Sequence, residues 1–534
     1  MDSESIDECK VSFCNRIWVE QGLDLLDLKA QFIRSRNIGS AEQPTIMRYM
    51  PDPCGLPDVD ALLALVLSSK KIGIFGDYDV DGITSVAIWV KFLEAIGINS
   101  VPYIPNRSDG YGVSDIGLQL LLNAGVDCIL TLDCGTLSGH MFGHLKIPVA
   151  VIDHHQAKIG PNVPCVNPHR FDTVGQEDYK NLCTAGLSFL VIAKVARKYN
   201  FDAMSLLDLV TIGTVGDMMY LDNFNRACVR HGLQQLANNS NPGIQSILEI
   251  LHIREVTSTT LAFYVIPTLN AAGRVGSAYV SLDLLMSHTL PRTLASSLIS
   301  LNEQRKLLSS EMVAQGRSQV SQEAKALVLY DCNWHPGVVG IVAGQIADEN
   351  HKPCFAMYKS GSMWKGSARA GNEQIDIGKV IADSVQAGLA SSGGGHAAAG
   401  GVTVHEDMFT KWQDFIHLRI SNLKVGKKKV LVDCVVSENY LLAKKQSFYE
   451  FGPFGVGNPR PHILIQSVWL RDIFQSEKYI KCTANSGGTI IALRAASSLV
   501  NGLKSMRGKF IDLLTIASED GSILLYDARA SAIP

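Results

Sequence analysis

Asp77, Asp79 and Asp81 stand at alternate positions in Gly76-Asp77-Tyr78-Asp79-Val80-Asp81, directly after the apolar run Lys71-Ile72-Gly73-Ile74-Phe75. Three carboxylates this close repel one another unless something positive separates them. The usual solution is a divalent cation held by hard oxygen ligands. A short apolar run followed by such a cluster predicts a buried strand whose carboxyl end opens onto a cation site.

A calcium loop and a helix cap compete with that reading. Asp77-x-Asp79-x-Asp81-Gly82 matches the opening of a calcium-binding helix–loop–helix, but that loop needs a bidentate Glu at its twelfth position, where this chain has Ile88. It also needs a preceding helix, and Lys71 to Phe75 reads as a strand. The cluster could instead cap the helix expected to begin near Ile83, since Asp accepts from helix N-termini. One cap does not require three carboxylates.

The chain has 534 residues, 46% apolar and 19% charged, with a formal net charge of −3. This is ordinary for a globular protein of two to four domains. The charge does not advertise a polyanion partner, so any nucleic-acid site must rest on local basic clusters. Twelve cysteines include no Cys-x-x-Cys, which argues for free thiols rather than a thiolate zinc site. No apolar run reaches the roughly 18 residues of a membrane-spanning helix. The acidic Met1-Asp2-Ser3-Glu4-Ser5 lacks the features of a signal peptide. A cytoplasmic protein without membrane partners is expected.

Helix and strand alternate from Ala61 to Ile152. Strands are expected at 72–75, 101–104, 128–132 and 149–152, and helices at 61–67, 84–96 and 114–124; this is the rhythm of parallel βαβ units. Residues 182–251 look mainly helical. Residues 291–325 suit a connecting helix. A second α/β block follows, with strands at 326–330, 354–357 and 401–404. The basic run Lys427-Lys428-Lys429 marks a candidate linker, and short strands dominate from Val430 onward, as in a small β-barrel. The division expected is an N-terminal segment (1–50), a parallel-sheet domain (51–290), the connecting helix (291–325), a smaller α/β domain (326–425) and a β-barrel domain (426–534).

More acidic and imidazole groups follow apolar runs. Leu132 leads into Asp133-Cys134-Gly135, Ile152 into Asp153-His154-His155, and the strand-like stretch 209–215 through Gly216 into Asp217. An Asp-Gly after a strand is usually a turn, and a His pair is usually structural. Four such elements in order are hard to explain that way, because ligands bind beyond the carboxyl ends of strands in open α/β sheets. Carboxylates with imidazoles suit Mn²⁺ or Mg²⁺. So many would suit two ions, the arrangement that activates water and stabilises both oxygens of a phosphoryl displacement.

Asp79/Asp81, Asp133, Asp153-His154-His155 and Asp217 together resemble the four motifs of the DHH phosphoesterase superfamily. Within it, the chain resembles the RecJ family of bacterial single-strand-specific exonucleases over roughly residues 50–530. The resemblance rests on Tyr103-Ile104-Pro105-Asn106-Arg107 with Gly110-Tyr111-Gly112, Leu269-Asn270-Ala271-Ala272-Gly273-Arg274, and Leu301-Asn302-Glu303-Gln304-Arg305. It continues through Trp334 to Ile341, Lys365-Gly366-Ser367-Ala368-Arg369, Gly394-Gly395-His396 to Gly400, and Pro453 to Pro459. It implies a DHH domain, a DHHA1 domain and an OB-fold. Cys134, Pro336 and Gly216 depart from the usual Asn, Gln and Ala. None is a metal ligand, and Cys134 puts rate or metal preference in question.

The resemblance implies that Asp79 and Asp81 hold different metal ions, Asp133 bridges them, and His154 and Asp217 complete the set, with Asp77 in support. His155 would act beside the scissile phosphate as an electrostatic or acid group. By resemblance Ser367 and Arg369, with Arg107, would grip the terminal 5′-phosphate or its neighbour, and His396 would contact substrate near the metals, while Arg274 is a candidate phosphate contact or a structural ion-pair partner. In the barrel domain, Trp469, Phe474 and Tyr479 with Arg471, Lys478 and Lys481 are available to a single strand, although Trp469 is expected to fill the barrel core.

The expected activity is therefore 5′→3′ exonucleolytic release of 5′-mononucleotides from single-stranded DNA, in repair and recombination. A single-strand binding protein or a helicase is a possible partner by family. A phosphodiesterase of short oligonucleotides or cyclic dinucleotides is the alternative, but such enzymes lack the segment 430–534. A catalytically silent scaffold would have lost the carboxylates, and a manganese pyrophosphatase would not need a barrel.

Overall fold

The computed structural model describes residues 12–14, 16–20, 28–36, 44–107, 110, 112–372, 374–423, 428–436, 451–475, 480–486, 489–495, 499–517 and 523–531. Five strands form a wholly parallel sheet in the order Asn99–Tyr103, Lys71–Phe75, Cys128–Leu132, Val149–Ile152, Cys165–Val166. Four lie where the apolar runs predict them. Cys165–Val166, at two residues, is too short to carry a period. The chain runs from Lys71–Phe75 through the helix Val80–Ala95 to the edge strand, then returns to the opposite side of Lys71–Phe75. Such a reversal of strand order opens a crevice at the carboxyl ends.

Alternation along the strands sorts the core. Ile72, Ile74, Leu130, Leu132 and Ile152 join one cluster with residues of Val80–Ala95, Thr184–Ala196 and Leu207–Gly216. Phe75, Ile129, Val149 and Val151 join Leu118 and Leu121 of the helix Asp115–Asn123 on the other face.

Two expectations are corrected in this domain. The helix after the acidic cluster starts at Val80, ahead of Ile83, because the Asp79 carboxylate caps it by accepting from the Asp81 and Gly82 N–H groups (3.1 and 3.3 Å). Capping, set aside from sequence, is thus one of the jobs Asp79 does. The strand-like stretch 209–215 is the interior of the helix Leu207–Gly216. A short apolar run cannot by periodicity tell a buried helix from a strand.

The 27-residue helix Arg292–Ser318 leads to a second sheet. Its order is Ser392–Gly395, Ala399–His405, Met363–Arg369, Cys354–Ser360, Leu327–Asp331, antiparallel except for the last pair. Met363–Arg369 and Ser392–Gly395 are not among the expected strands. Their Lys, Ser and Gly content hides them, and ladder partners hold them.

Beyond it, His462–Gln475, Ile480–Ser486, Thr489–Ala495, Ile523–Ala530 and Phe510–Ala517 pair in that order, and the last pairs back onto the first. This closes the five-stranded barrel of an OB-fold. Part of the N-terminal segment belongs to this region. Arg16–Glu20 pairs in parallel with Lys428–Val432, so the candidate linker is a strand from Lys428, while Lys427 lies outside the described residues. Ser12 and the Trp18 indole both donate to the buried Asp527 carboxylate. No helix among the described residues is long and apolar enough to cross a membrane.

Candidate metal centre and phosphate site

Parallel strands put the cluster 77–81, Asp133 and the 153–155 turn at one edge of the sheet. Asp217, the C-cap of Leu207–Gly216, joins them from the helical layer. The His154 Nε2 lies 3.3 Å from Asp133, 3.5 Å from Asp217 and 3.9 Å from Asp81. Three groups have ligand atoms within 4.8 Å of one another: Asp77/Asp79/Asp133, Asp81/His154/Asp217 and Asp133/His154/His155. Asp79 and Asp81 fall in different groups, Asp133 belongs to two, and Asp77 sits directly with Asp79 and Asp133.

Backbone geometry aims these groups. Asp81 accepts from the N–H groups of Thr184 (2.8 Å) and Ala185 (3.0 Å), so the N-terminus of the helix Thr184–Ala196 turns its carboxylate inward. The Thr184 hydroxyl donates to Asp133 (3.1 Å). Asp133 itself has φ of +63°, strained for a residue with a Cβ and the kind of conformation that persists where surroundings over-determine it. Gly82 lies against the backbone of Asp77, and a Cβ there would overlap it.

Charge is crowded here. Burial, then repulsion from Asp79, pushes Asp77 up to about 8 and Asp81 to about 6. Burial and the charges of Asp81 and Asp79 raise Asp217 to about 8. Asp133 lies well above the carboxylate range, from burial and then Asp81, Asp79, Asp77 and Asp217. One oxygen of Asp77 is buried with no hydrogen-bond partner. Divalent cations would relieve both the repulsion and that orphaned oxygen, and the oxygen-rich donor set with one imidazole fits Mn²⁺ or Mg²⁺. Burial and the neighbouring His155 hold His154 at about 3, neutral as a ligand should be.

His155 behaves differently. Burial pulls its pKa down, but the hydrogen bond and charge of Asp153, with Asp79 and Asp217, lift it to about 9. Its Nδ1 lies 2.8 Å from Asp153. Asp153 also accepts from the N–H groups of Thr136, His154 and His155. Burial opposes ionisation of Asp153, yet its imidazole partners and Thr136 hold it well below the carboxylate range.

A second cluster is cationic. Arg274 is pushed down to about 10 by burial and then by Arg107, with Arg305 and Arg369 adding to the repulsion and Asp79 opposing it. Guanidinium groups gather in this way where an anion is to be bound. Arg107 donates to the Gly273 carbonyl (3.2 Å) and lies 4.2 Å over the Tyr78 ring. Arg274 donates to the Gly337 carbonyl (3.1 Å), tying the parallel-sheet domain to the second. A Cβ on Gly340, in the first turn of the helix Val339–Asn350, would lie 3.4 Å from both Ser367 Oγ and Arg369 Nη2. Arg369 and Ser367 therefore face a helix N-terminus, a ready anion site. His396 is exposed; burial, then Arg369, lowers its pKa, and His155 adds to this.

The structure thus brings together every metal candidate, and sets the arginines beside them. Sequence reasoning left out Asp153, Thr184 and Arg305 as individual site residues. Asp153 and Arg305 stood inside quoted motifs, but nothing local marked Thr184. Trp469 is corrected: it is 41% exposed and packs edge-to-face on Phe510. A bulge between Ile465 and Val468, with Ser467 at φ +53°, precedes it, and its neighbours Val468 and Leu470 take the core. Phe474 and Arg471 are exposed too, whereas Lys478 and Tyr479 lie outside the described residues, as does the Lys481 side chain.

Comparisons agree with this architecture. Residues 71–214 match the DHH family, N-terminal domain, and residues 323–422 the DHHA1 domain. The single-stranded-DNA-specific exonuclease RecJ of Haemophilus influenzae is 31% identical over 73% of this chain and 74% of its own length, and that of Dickeya dadantii 32% over 76% of each. The Bacillus subtilis RecJ is 27% identical over 85% of this chain, which spans 58% of that longer relative. Among solved structures, RecJ of Thermus thermophilus in complex with Mn²⁺ shares the fold, with a TM-score of 0.76 at 24% identity, covering 97% of this chain and 79% of its own. A manganese-bound exonuclease RecJ has a TM-score of 0.59 at 28% identity, over 72% of this chain and 97% of its own. On its two family domains and these relatives, the chain belongs to the RecJ family.

Proposed function

We propose that this chain is a metal-dependent exonuclease that degrades single-stranded DNA from its 5′ end, hydrolysing phosphodiester bonds to release 5′-mononucleotides in cytoplasmic DNA repair and recombination. The observation that carries the reading is the meeting of two opposite clusters: carboxylates and an imidazole suited to two cations, and Arg107, Arg274 and Arg369 with Ser367, suited to a terminal phosphate. A 5′-phosphate held by the arginines would put the next phosphodiester at the carboxylates. This explains end recognition and the size of the product.

Asp79 and Asp77 would hold one ion, Asp81, His154 and Asp217 the other, with Asp133 between them. When bound, the ions supply Lewis acidity that eases deprotonation of water and neutralises phosphate charge. His155, kept cationic by Asp153, presents its other nitrogen, Nε2, to a phosphate oxygen or leaving group. His396 would contact substrate from the second domain, and the exposed Trp469 and Phe474 offer stacking faces to bases. A single-strand binding protein or a helicase would supply the strand. The proposed domains divide at residues 50, 290, 325 and 425, with Arg16–Glu20 of the first part paired to Lys428–Val432 of the last.

The test is digestion of 5′- and 3′-labelled single strands with Mn²⁺ or Mg²⁺, beside a cyclic dinucleotide and a blunt duplex. Ordered loss from the 5′ end of the single strand is expected. Loss from the 3′ end, or preference for the cyclic dinucleotide, would overturn the reading.

A further inference from the structure

The helix Thr184–Ala196 begins at a fully buried residue, Thr184. The first N–H groups of a helix have no acceptor within it. Here those of Thr184 and Ala185 donate to the two oxygens of Asp81 (2.8 and 3.0 Å). These bonds come from the backbone, so they do not depend on the side chain at position 184. The Thr184 hydroxyl does something separate. Inside a helix a threonine hydroxyl commonly bonds the carbonyl one turn back. At the first helical position that turn is missing, and the hydroxyl donates outward to Asp133 Oδ1 (3.1 Å).

An aspartate carboxylate turns easily about its last torsion, whose preferences are broad and roughly two-fold. The φ of +63° fixes the Asp133 backbone but leaves that torsion open. Asp133 Oδ1 lies 3.3 Å from His154 Nε2 and 3.9 Å from His155 Nδ1. The hydroxyl pins this oxygen beside the imidazoles, and with it the plane of the carboxylate. Asp133 is also the carboxylate that two candidate ligand groups share, one with Asp77 and Asp79 and one with His154 and His155. Thr184 therefore touches a carboxylate at each candidate ion position, Asp81 through its N–H and Asp133 through its hydroxyl.

We propose that Thr184 is a positioning residue of the metal centre: its hydroxyl sets the plane of the Asp133 carboxylate, so that an ion at Asp77 and Asp79 finds its third ligand already placed. The proposal rests on the two-ion reading of the site. An ion at Asp81, His154 and Asp217 has three ligands that do not depend on the hydroxyl, so its affinity changes less. Hydrogen-bond partners of metal ligands typically weigh roughly ten- to hundredfold on metal affinity.

Calorimetric titration of the metal-stripped full chain with Mn²⁺ reads both affinities without turnover. Thr184→Val keeps the branched shape and loses the hydroxyl, whereas Thr184→Ser keeps the hydroxyl and loses the methyl. The wild type should bind two ions. Thr184→Val should raise the Kd of one by roughly ten- to hundredfold and leave the other little changed. Thr184→Ser should bind both as the wild type does. A packing role alone would give the opposite order, with Thr184→Ser the weaker binder, and would overturn the proposal. So would a Thr184→Val chain that binds both ions as the wild type does, or one that loses both equally. Affinity for a 5′-phosphorylated oligothymidylate in metal-free buffer, read by fluorescence anisotropy, should be the same in all three chains because the arginines are untouched. A weaker strand in Thr184→Val alone would place the effect outside the metal ligands and overturn the proposal. A wild type that takes up no second ion sinks the two-ion reading and this proposal together. Two ions in the wild type with an unaffected Thr184→Val chain sink this proposal alone, and a wild type that binds two ions but shortens no strand sinks only the exonuclease reading.

Discussion

Four hydrogen bonds converge on the Asp153 carboxylate, and one of them sets the charge of His155. Asp153→Asn should return His155 from about 9 toward the ordinary imidazole value. A histidine is cationic below its pKa, so the wild type keeps the charge past pH 8 while the variant sheds it near neutrality. The alkaline limb of the pH–rate profile should move down by on the order of two units; an unmoved limb would show that His155 charge does not limit the rate. Asp133→Ala should reduce cleavage to background while single-strand binding persists, because the shared ligand goes and the arginines stay. An active Asp133→Ala protein would refute the shared role. At the other end of the helix that Asp217 caps, burial raises the pKa of Asp208, opposed by the Leu209 N–H and the Ser240 hydroxyl. Its folded pKa lies above its unfolded one, so folding is penalised as pH rises through that window and the penalty is absent below the unfolded value. Asp208→Asn should therefore melt higher than wild type at pH 7 and match it near pH 4, as calorimetry at the two pH values would read.

The elements explain why the proposed anion site has its shape. Helix Val339–Asn350 brings its first turn to the strand Met363–Arg369, and Gly340 keeps the gap between them open. Gly340→Val should fill that gap and reproduce Arg369→Ala. Both should raise KM for 5′-phosphorylated strands by roughly tenfold to a hundredfold, the worth of one or two charged hydrogen bonds. Strands with a 5′-hydroxyl should change little, and equal loss on both ends would mean that Arg369 is not an end reader. In the helix Val80–Ala95 the reverse holds: one side chain, Asp79, starts the helix and also stands in a candidate ligand group with Asp77 and Asp133.

At the scale of the whole molecule, the strand Arg16–Glu20 is built against the C-terminal region. Removing residues 1–20 strips Arg16, Ser12 and Trp18 from Asp527, whose side chain is 0% exposed. The deletion also takes the buried Trp18 from its cluster with Val430, Val432, Leu464 and Leu514, and losing a buried Trp costs about 3–5 kcal/mol. The truncated chain should lose the barrel's unfolding transition at lower temperature, with the transition of the parallel-sheet domain retained; a single unshifted transition would refute this coupling.

By itself, the sequence determined the parallel sheet and the candidate ligand motifs, because both are local. Apolar runs of four or five residues make strands, and Asp77, Asp79, Asp133 and His154 follow them by chain continuity. Asp217 was legible as a candidate, but its run reads as strand or helix alike until packing decides. The tertiary structure alone decided which carboxylates share a group, since Asp81 is turned by a helix about a hundred residues away. It also decided that Arg305 joins three other arginines, that Trp469 faces water, and that Arg16–Glu20 completes a ribbon with Lys428–Val432. These depend on contacts between distant segments, and local pattern carries no information about which distant partner will arrive.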